Sequence, residues 1–332
     1  MTRPTSPSST AVLLPNWIGD LILALSVILR KKLSDGSGPL LIVPERLCGL
    51  TALLCDLPII PYRRKTRAGY FATIRAVRER SVSKLYILPH SFSSALFGFL
   101  SGIPRRRGVS AELRGALLTE RLPPAVASRS RHLTYEYSAV LETALRDPGA
   151  WDGVAIEKSA EADGAIVLCP GAAYGPAKQW PHFARLVGLF DRRRFIVVGD
   201  DRDHAIGERI AAAAPDRVMN SAGSTTLERV ASLIATADLV VSNDSGLLHL
   251  AGFLGTPCIG IYGSTSSVWT GPLGGAVAIA RGECRRSPCY ERTCPEKHYN
   301  CLAGIPVERV ATLANELLAR HDNPAGAASE GP

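Results

Sequence analysis

The chain has 332 residues, 46% hydrophobic and 20% charged, which is enough to bury two cores of ordinary size. Its longest early apolar run, residues 21–29, is shorter than the roughly 20 residues that span a bilayer, and no signal-peptide cleavage pattern follows it. No transmembrane segment is therefore expected. Eight cysteines without a secretory context predict reduced thiols in the cytoplasm.

Positive charge is concentrated in the first half. Residues 1–155 hold 21 Lys or Arg against 11 Asp or Glu, a net of +10, whereas residues 156–332 hold 17 against 19, a net of −2. The densest clusters are 63-RRKTR-67 and 105-RRR-107. Such a field attracts polyanions such as nucleic acid, anionic lipid headgroups or phosphorylated glycolipids, although any one cluster is equally consistent with a solvated basic face.

Apolar runs of strand length alternate with helical patterns along the chain. The first half has predicted strands and helices at 11–15, 20–32, 40–44, 59–62, 84–89 and 91–102. The second half repeats the alternation, with strands at 165–169, 194–199, 238–243 and 258–263 and helices at 181–190, 203–214, 226–236, 245–254 and 306–320. Runs that are apolar on both faces and separated by helices indicate parallel sheets covered on both sides.

The pattern therefore predicts an α/β protein of two doubly wound parallel-sheet domains. We expect the domains at 11–155 and 156–320, with a hinge in the polar, Gly- and Pro-containing stretches 147–153 and 157–164. The Pro-, Ser- and Gly-rich ends, residues 1–10 and 321–332, are predicted to be disordered tails.

The loop 170-PGAAYGPAKQWP-181 follows a predicted strand, and ligands bind beyond the carboxyl ends of strands in open parallel sheets. Gly171 and Gly175 allow close backbone approach, and Lys178 supplies a positive charge for phosphate. The spacing matches neither a Walker loop nor a dinucleotide fingerprint, so a plain connection is the alternative.

A second candidate is 243-NDSGLLHLAG-252, where a strand ends and a helix begins. Asp244 and Ser245 are good N-cap residues, and Gly246 opens the helix with N–H groups at the positive end of its dipole, which makes an anion site. His249, one turn inside, is either a core histidine or a ligand contact.

Two further features have open interpretations. Asp20, in 15-PNWIGDLILAL-25, is either a helix cap or a general base at the mouth of the first sheet. Cys284, Cys289, Cys294 and Cys301 lack the C-x2-C pairs of ordinary zinc ribbons, so free thiols and a zinc staple both remain possible. No hydrolase motif of the G-x-S-x-G or H-E-x-x-H kind is present.

In this order and spacing, 16-NWIGD-20, the loop 170–181, 243-NDSGLLHLAG-252 and 256-TPCIGIYGSTS-266 resemble the family 9 glycosyltransferases, the heptosyltransferases of lipopolysaccharide core assembly. The resemblance covers roughly residues 11–320, and the loop is most similar to that of the members that add the second heptose. It implies a GT-B architecture of two facing Rossmann-like domains, inversion at the anomeric carbon, and neither a cofactor nor an obligatory metal.

The resemblance also implies residue roles. Lys178, with Gly171, is expected at the donor phosphates, and Glu228 near the nucleoside. Asp20 matches the proposed general base. His90 stands where the family more often has asparagine, which changes acceptor contact there. The donor pyrophosphate and sugar are expected to be lined by Asp244, Ser245, Gly246 and His249, and the acceptor by Arg63, Arg64, Lys65, His90 and Ser91.

The implied reaction is transfer of L-glycero-D-manno-heptose from ADP-heptose to heptosyl-Kdo-lipid A by a peripheral enzyme at the cytoplasmic face of the membrane. The implied partners are thus a nucleotide sugar and an anionic glycolipid. The alternatives are a first-heptose or other ADP-sugar transferase of the family, a nucleotide-sugar epimerase of GT-B architecture, and a nucleic-acid-binding module. The last predicts aromatic residues among the basic ones, and only Tyr62, Tyr70 and Phe71 lie beside 63–67.

Overall fold

The computed structural model describes residues 10–35, 38–144, 147 and 151–322. The chain divides into two compact units, residues 1–148 (unit 1) and residues 149–332 (unit 2). Among the described residues, no helix is both long and apolar enough to cross a membrane.

Unit 1 is a six-stranded parallel sheet with helices in its crossover connections. Its strands are β1 Thr10–Leu13, β2 Leu40–Pro44, β3 Ile59–Tyr62, β4 Lys84–Ile87, β5 Arg105–Val109 and β6 Glu120–Leu122. Its helices are α1 Ile18–Asp35, α2 Cys48–Leu54, α3 Arg67–Glu79, α4 Phe92–Leu100 and α5 Leu133–Val140. The strand order is β3-β2-β1-β4-β5-β6, which is the doubly wound Rossmann order.

Unit 2 repeats this topology. Its strands are β7 Ala165–Cys169, β8 Arg194–Val197, β9 Val218–Asn220, β10 Leu239–Asn243, β11 Cys258–Tyr262 and β12 Val277–Arg281. Its helices are α6 Phe183–Val187, α7 His204–Ala211, α8 Leu227–Thr236, α9 Gly246–Leu254, α10 Ser267–Thr270, α11 Asn300–Ala303 and α12 Val307–Asp322. The order β12-β11-β10-β7-β8-β9 is that of unit 1 read from the other edge.

The central strands form because their sequences are apolar on both faces. All five residues of β2 (LLIVP), β7 (AIVLC), β10 (LVVSN) and β11 (CIGIY) are buried. Helices pack on both faces of such a sheet, so neither face meets water. The two units have separate cores, one around Ile42 and Phe97 and the other around Leu168 and Val241.

The eight predicted strands are confirmed, whereas strands β5, β6, β9 and β12 were not predicted. Strand β5 (RRRGV) contains the basic cluster 105–107, which the charge pattern offers as a site for polyanions. A polyanion site at this cluster stays a prediction; its guanidiniums have partners within unit 1. Arg105 donates to Glu120 at 2.7 Å, Arg106 donates to the Leu117 carbonyl at 2.7 Å, and Arg107 lies 3.5 Å from Glu120.

The predicted disordered tails are too long by one residue at the start and by two at the end. Thr10 begins β1, and α12 continues through Asp322. Residues 1–9 and 323–332 of those tails, and residues 148–150 of the predicted hinge, lie outside the described residues.

Candidate functional site

Each sheet has a switch point, where connections leave two neighbouring strands in opposite directions. These pairs are β1 with β4 in unit 1 and β7 with β10 in unit 2. Ligands bind outside the carboxyl ends of the strands at such points. Asp20 lies at the start of α1, just after β1, and His90 lies in the loop after β4. The loops after β7 and β10 carry Lys178 and Asp244.

Asn243 ties the loop after β7 to the end of β10. Its side chain is fully buried; the amide Nδ2 donates to the Pro170 carbonyl at 2.7 Å, and the amide oxygen accepts from the Trp180 N–H at 3.0 Å. Both ends of the 170–180 loop are therefore fixed to one strand. Sequence reasoning did not assign Asn243 a role, although an amide at the end of an apolar strand was a usable signal.

Lys178 and Asp244 form an ion pair at the centre of this arrangement. The Lys178 ammonium donates to Asp244 Oδ2 at 2.5 Å, and Thr265 Oγ1 donates to the same oxygen at 2.5 Å. The side chains of Lys178 and Asp244 are only 13% and 3% exposed, and His249 Nε2 lies 3.9 Å from Asp244 Oδ1. The carboxylate thus holds the ammonium in place, and an ammonium has further protons to donate to a ligand.

The start of α9 differs from the predicted side-chain cap. Ser245 is the N-cap residue, but its side chain makes no capping hydrogen bond, and its Oγ lies 3.1 Å from Ser242 Oγ. The first N–H groups of a helix have no intrahelical partners. Here the Ser245 side chain does not accept a hydrogen bond from the N–H groups of Gly246 or Leu247. Such groups favour an anion.

Close packing inside unit 2 requires glycine at position 171. A Cβ at this position would lie 2.1 Å from Asp203 Oδ2. Asp203 and Asp200 form the capping box at the start of the helical turn after β8. A donor contact by Gly171 stays a prediction.

Glu228, expected near the nucleoside, is half-buried in the first turn of α8, where Thr226 caps the helix.

In unit 1, Asp20 and His90 both lie near helix α5. Asp20 is half-buried in the first turn of α1, and the negative charges of Asp20 and Glu136 add to burial in raising the pKa of Tyr137 well above its usual value. Glu136, with a side chain 5% exposed, lies 2.5 Å from His90 Nε2. Glu136 and Tyr137 were missed because nothing in the local sequence links α5 to either loop.

The predicted acceptor residues divide between two loops. Arg64 and Lys65 are exposed after β3, and Arg63 donates to Glu45 at 2.7 Å. His90 and Ser91 are half-buried after β4. A buried guanidinium supports that second loop: Arg114 donates to the Pro89 carbonyl and to Ser94 Oγ, the latter at 3.0 Å. Burial lowers the pKa of Arg114 to about 10.

None of the eight cysteines, all of which lie in the described part of the chain, forms a disulfide. Cys284, Cys289, Cys294 and Cys301 line one cavity of about 20 Å³ in unit 2. Burial raises the pKa of Cys301 to about 11, whereas a backbone N–H at Tyr299 lowers that of Cys294. Within the described ranges, no group of three or more His, Cys, Asp or Glu side chains is arranged to hold a metal ion. The absence of a functional metal stays a prediction.

Cavity size alone does not identify this site. A cavity of about 900 Å³ in unit 2 is lined by residues such as Ala237, Asp238, Thr256 and Pro257. These precede β10 and β11, so the cavity lies at the amino ends of the strands, opposite the edge where parallel sheets bind ligands.

Solved structures and curated proteins are similar to this chain over nearly its whole length. The structure described as E. coli ADP-heptose lps heptosyltransferase II aligns with a TM-score of 0.79 at 28% identity, covering 94% of this chain and 99% of that one. E. coli heptosyltransferase WaaC with ADP shares the fold, with a TM-score of 0.73 at 17% identity over 93% and 99% of the two chains. Lipopolysaccharide heptosyltransferase 2 of Escherichia coli K12 is 29% identical, covering 93% of this chain and 98% of the relative. The Salmonella typhimurium protein of the same name is 30% identical over 92% and 97%.

Two parallel sheets of Rossmann order match the GT-B fold of the structure described as E. coli ADP-heptose lps heptosyltransferase II. The model described as Glycosyltransferase family 9 (heptosyltransferase) matches residues 70–300. The chain belongs to glycosyltransferase family 9. This membership favours glycosyl transfer over the epimerase and nucleic-acid-binding alternatives.

Proposed function

We propose that the protein transfers L-glycero-D-manno-heptose from ADP-heptose to heptosyl-Kdo-lipid A, the inner core of lipopolysaccharide, with inversion at the anomeric carbon. Relatives named for the second heptosyltransferase align with more than nine-tenths of the chain, which supports this choice. The observation that carries the proposal is the Lys178 ammonium, held by Asp244 next to the start of α9 at the switch point of unit 2.

In this proposal, unit 2 stabilises the leaving ADP. Lys178 and the N–H groups at Ser245 and Gly246 meet the charge that develops on the diphosphate, and fixed donors of this kind are typically worth about 3 kcal/mol each. His249 and Asp244 line the sugar end of the donor, Glu228 lies by the nucleoside, and Gly171 leaves room at the phosphates.

Unit 1 supplies the acceptor chemistry. Asp20 takes the proton from the acceptor hydroxyl as that oxygen attacks the anomeric carbon, and general-base help of this kind contributes about 100- to 10,000-fold in rate. His90 and Ser91 contact the acceptor sugars. Arg63, Arg64 and Lys65 bind its phosphates, and the net charge of +10 over residues 1–155 favours an anionic membrane surface at the cytoplasmic face.

The test is an assay of purified protein with ADP-heptose and two acceptors, Kdo-lipid A with no heptose and with one. We expect transfer only to the acceptor that already carries one heptose. Transfer to the heptose-free acceptor instead would identify a first-heptose enzyme, and failure with both would contradict the proposal.

Transfer is expected to continue at an undiminished rate in EDTA, because Lys178 and the helix N–H groups stabilise the negative diphosphate charge that a divalent ion otherwise neutralises. The measurement is initial rate after dialysis against chelator, with and without added Mg²⁺. A rate that falls at least tenfold in chelator and returns with Mg²⁺ would show that these groups are insufficient.

A further inference from the structure

The segment that contains the four clustered cysteines, residues 284–301 (the cysteine-rich segment), packs against the loop that carries Lys178. The Tyr174 hydroxyl donates to the Tyr290 carbonyl. The Ala177 N–H donates to the Arg292 carbonyl at 3.1 Å. The backbone of Arg292 is therefore fixed one residue away from Lys178 in the loop.

Gly175 shows how close this approach is. Its φ is +138°, and a Cβ at this position would lie 2.6 Å from the Arg292 carbonyl oxygen. No side chain fits there, so the loop and the cysteine-rich segment are in direct backbone contact.

The side chains of Arg292 and Lys178 share one aromatic ring. The Arg292 guanidinium carbon lies 5.3 Å from the Tyr174 ring centroid, and the Lys178 ammonium lies 4.8 Å from it. Since their separation cannot exceed the sum of these distances, the two cations lie within about 10 Å of each other. Each makes a cation–π contact, which is worth about 0.5–1 kcal/mol at an exposed site.

The two cations differ in their anionic partners. Lys178 is paired with the buried Asp244. Arg292 is exposed, and in the part of the chain that the structure describes it forms no ion pair with a carboxylate. Arg292 therefore adds a positive charge beside Lys178 that no carboxylate neutralises.

We propose that Arg292 is a second cationic ligand for the diphosphate of the nucleotide-sugar donor. This inference rests on the proposed function and deepens its donor site. The guanidinium leaves the weak contact with Tyr174 and binds a phosphate oxygen pair in the planar, two-bond manner that arginine favours. Lys178 supplies a point charge to the same diphosphate. The cysteine-rich segment then contributes directly to donor binding.

The test is the affinity of Arg292→Ala for ADP and for AMP, measured by calorimetry on the full chain. A charge-assisted hydrogen bond accounts for about 10- to 100-fold in affinity, so ADP binding is expected to weaken by that factor. AMP binding is expected to weaken by less than about threefold, because AMP lacks the second phosphate that two cations hold. Arg292→Lys is expected to recover part of the loss.

Arg285→Ala is the matched control. Arg285 is an exposed arginine of the same segment, and its substitution by alanine removes the same net charge as Arg292→Ala. It is expected to leave both affinities unchanged. Equal loss for ADP in the two variants would reduce the effect to general electrostatics and overturn the proposal. Equal loss of AMP and ADP binding in Arg292→Ala would also overturn it, because that is the signature of a displaced loop.

The experiment separates this inference from the function on which it rests. If the unsubstituted protein binds neither ADP nor AMP, the proposed use of an adenine-nucleotide donor fails. If it binds ADP and Arg292→Ala binds it equally well, only the assignment of Arg292 fails.

Discussion

Replacing Asp20 with asparagine is expected to lower kcat for heptose transfer by about 100- to 10,000-fold, the usual contribution of a general base. The amide cannot accept the proton of the attacking hydroxyl, yet it keeps the size and position of the carboxylate in the first turn of α1. ADP affinity is expected to stay within twofold, because the proposed donor residues all belong to unit 2. The measurements are single-turnover rates at saturating ADP-heptose and calorimetric titration with ADP.

Glu79→Gln is a suitable control for Asp20→Asn. Glu79 is an exposed carboxylate of unit 1 that pairs with Arg75 one helical turn away, at 2.9 Å. Its loss is expected to change neither kcat nor ADP binding, since an exposed pair of this kind is worth only about 0.3–0.5 kcal/mol. Asp20→Asn with at least a third of the normal kcat would remove Asp20 from the role of base.

Lys178→Ala is expected to weaken ADP binding by at least tenfold and to destabilise unit 2. The substitution leaves the Asp244 carboxylate, 3% exposed, with the neutral Thr265 hydroxyl as its nearest hydrogen-bond donor. Breaking a buried pair from one side costs about 3–5 kcal/mol, so we expect a loss of about 3 kcal/mol in the free energy of unfolding. Urea unfolding and ADP titration measure the two effects separately.

The double variant Lys178→Ala with Asp244→Asn distinguishes the two roles of the lysine. It removes the stranded negative charge, so it is expected to recover at least half of the lost stability without recovering ADP binding. Arg185→Ala is the control, because Arg185 and Glu308 form an exposed pair at 3.7 Å in the same unit. Its expected effect is below about 1 kcal/mol. Unchanged stability in Lys178→Ala would mean that the ion pair does not stabilise the loop.

The parts of the fold that were predictable are those whose signal is local. Strands such as β7 and β10 are apolar on both faces, and their pattern needs no knowledge of neighbours. Strands β5, β6, β9 and β12, which lie at or beside a sheet edge, were missed because each has exposed or half-buried positions and lacks the fully buried pattern of the central strands. Strand β5 has three successive arginines, and only its pairing with β4 and β6 makes it a strand.

The candidate site divides in the same way. Lys178 and Asp244 stand out because each follows a buried strand, and the doubly wound topology brings such loops to one edge of a sheet. Asn243 and Thr265 did not stand out, because their roles depend on distant partners. Asn243 binds a carbonyl 73 residues away, and Thr265 binds a carboxylate 21 residues away. No spacing rule relates positions that only the folded chain makes neighbours.

The duplicated topology has a consequence for how specificity can evolve. Each unit has its own apolar core and its own complete sheet, and each is one continuous stretch of the chain. Under the proposed division of donor and acceptor binding between the units, mutations that change sugar-nucleotide choice and mutations that change the choice of lipid would accumulate in separate halves of the gene. Recombination between the two halves would then exchange one preference while the other is inherited intact.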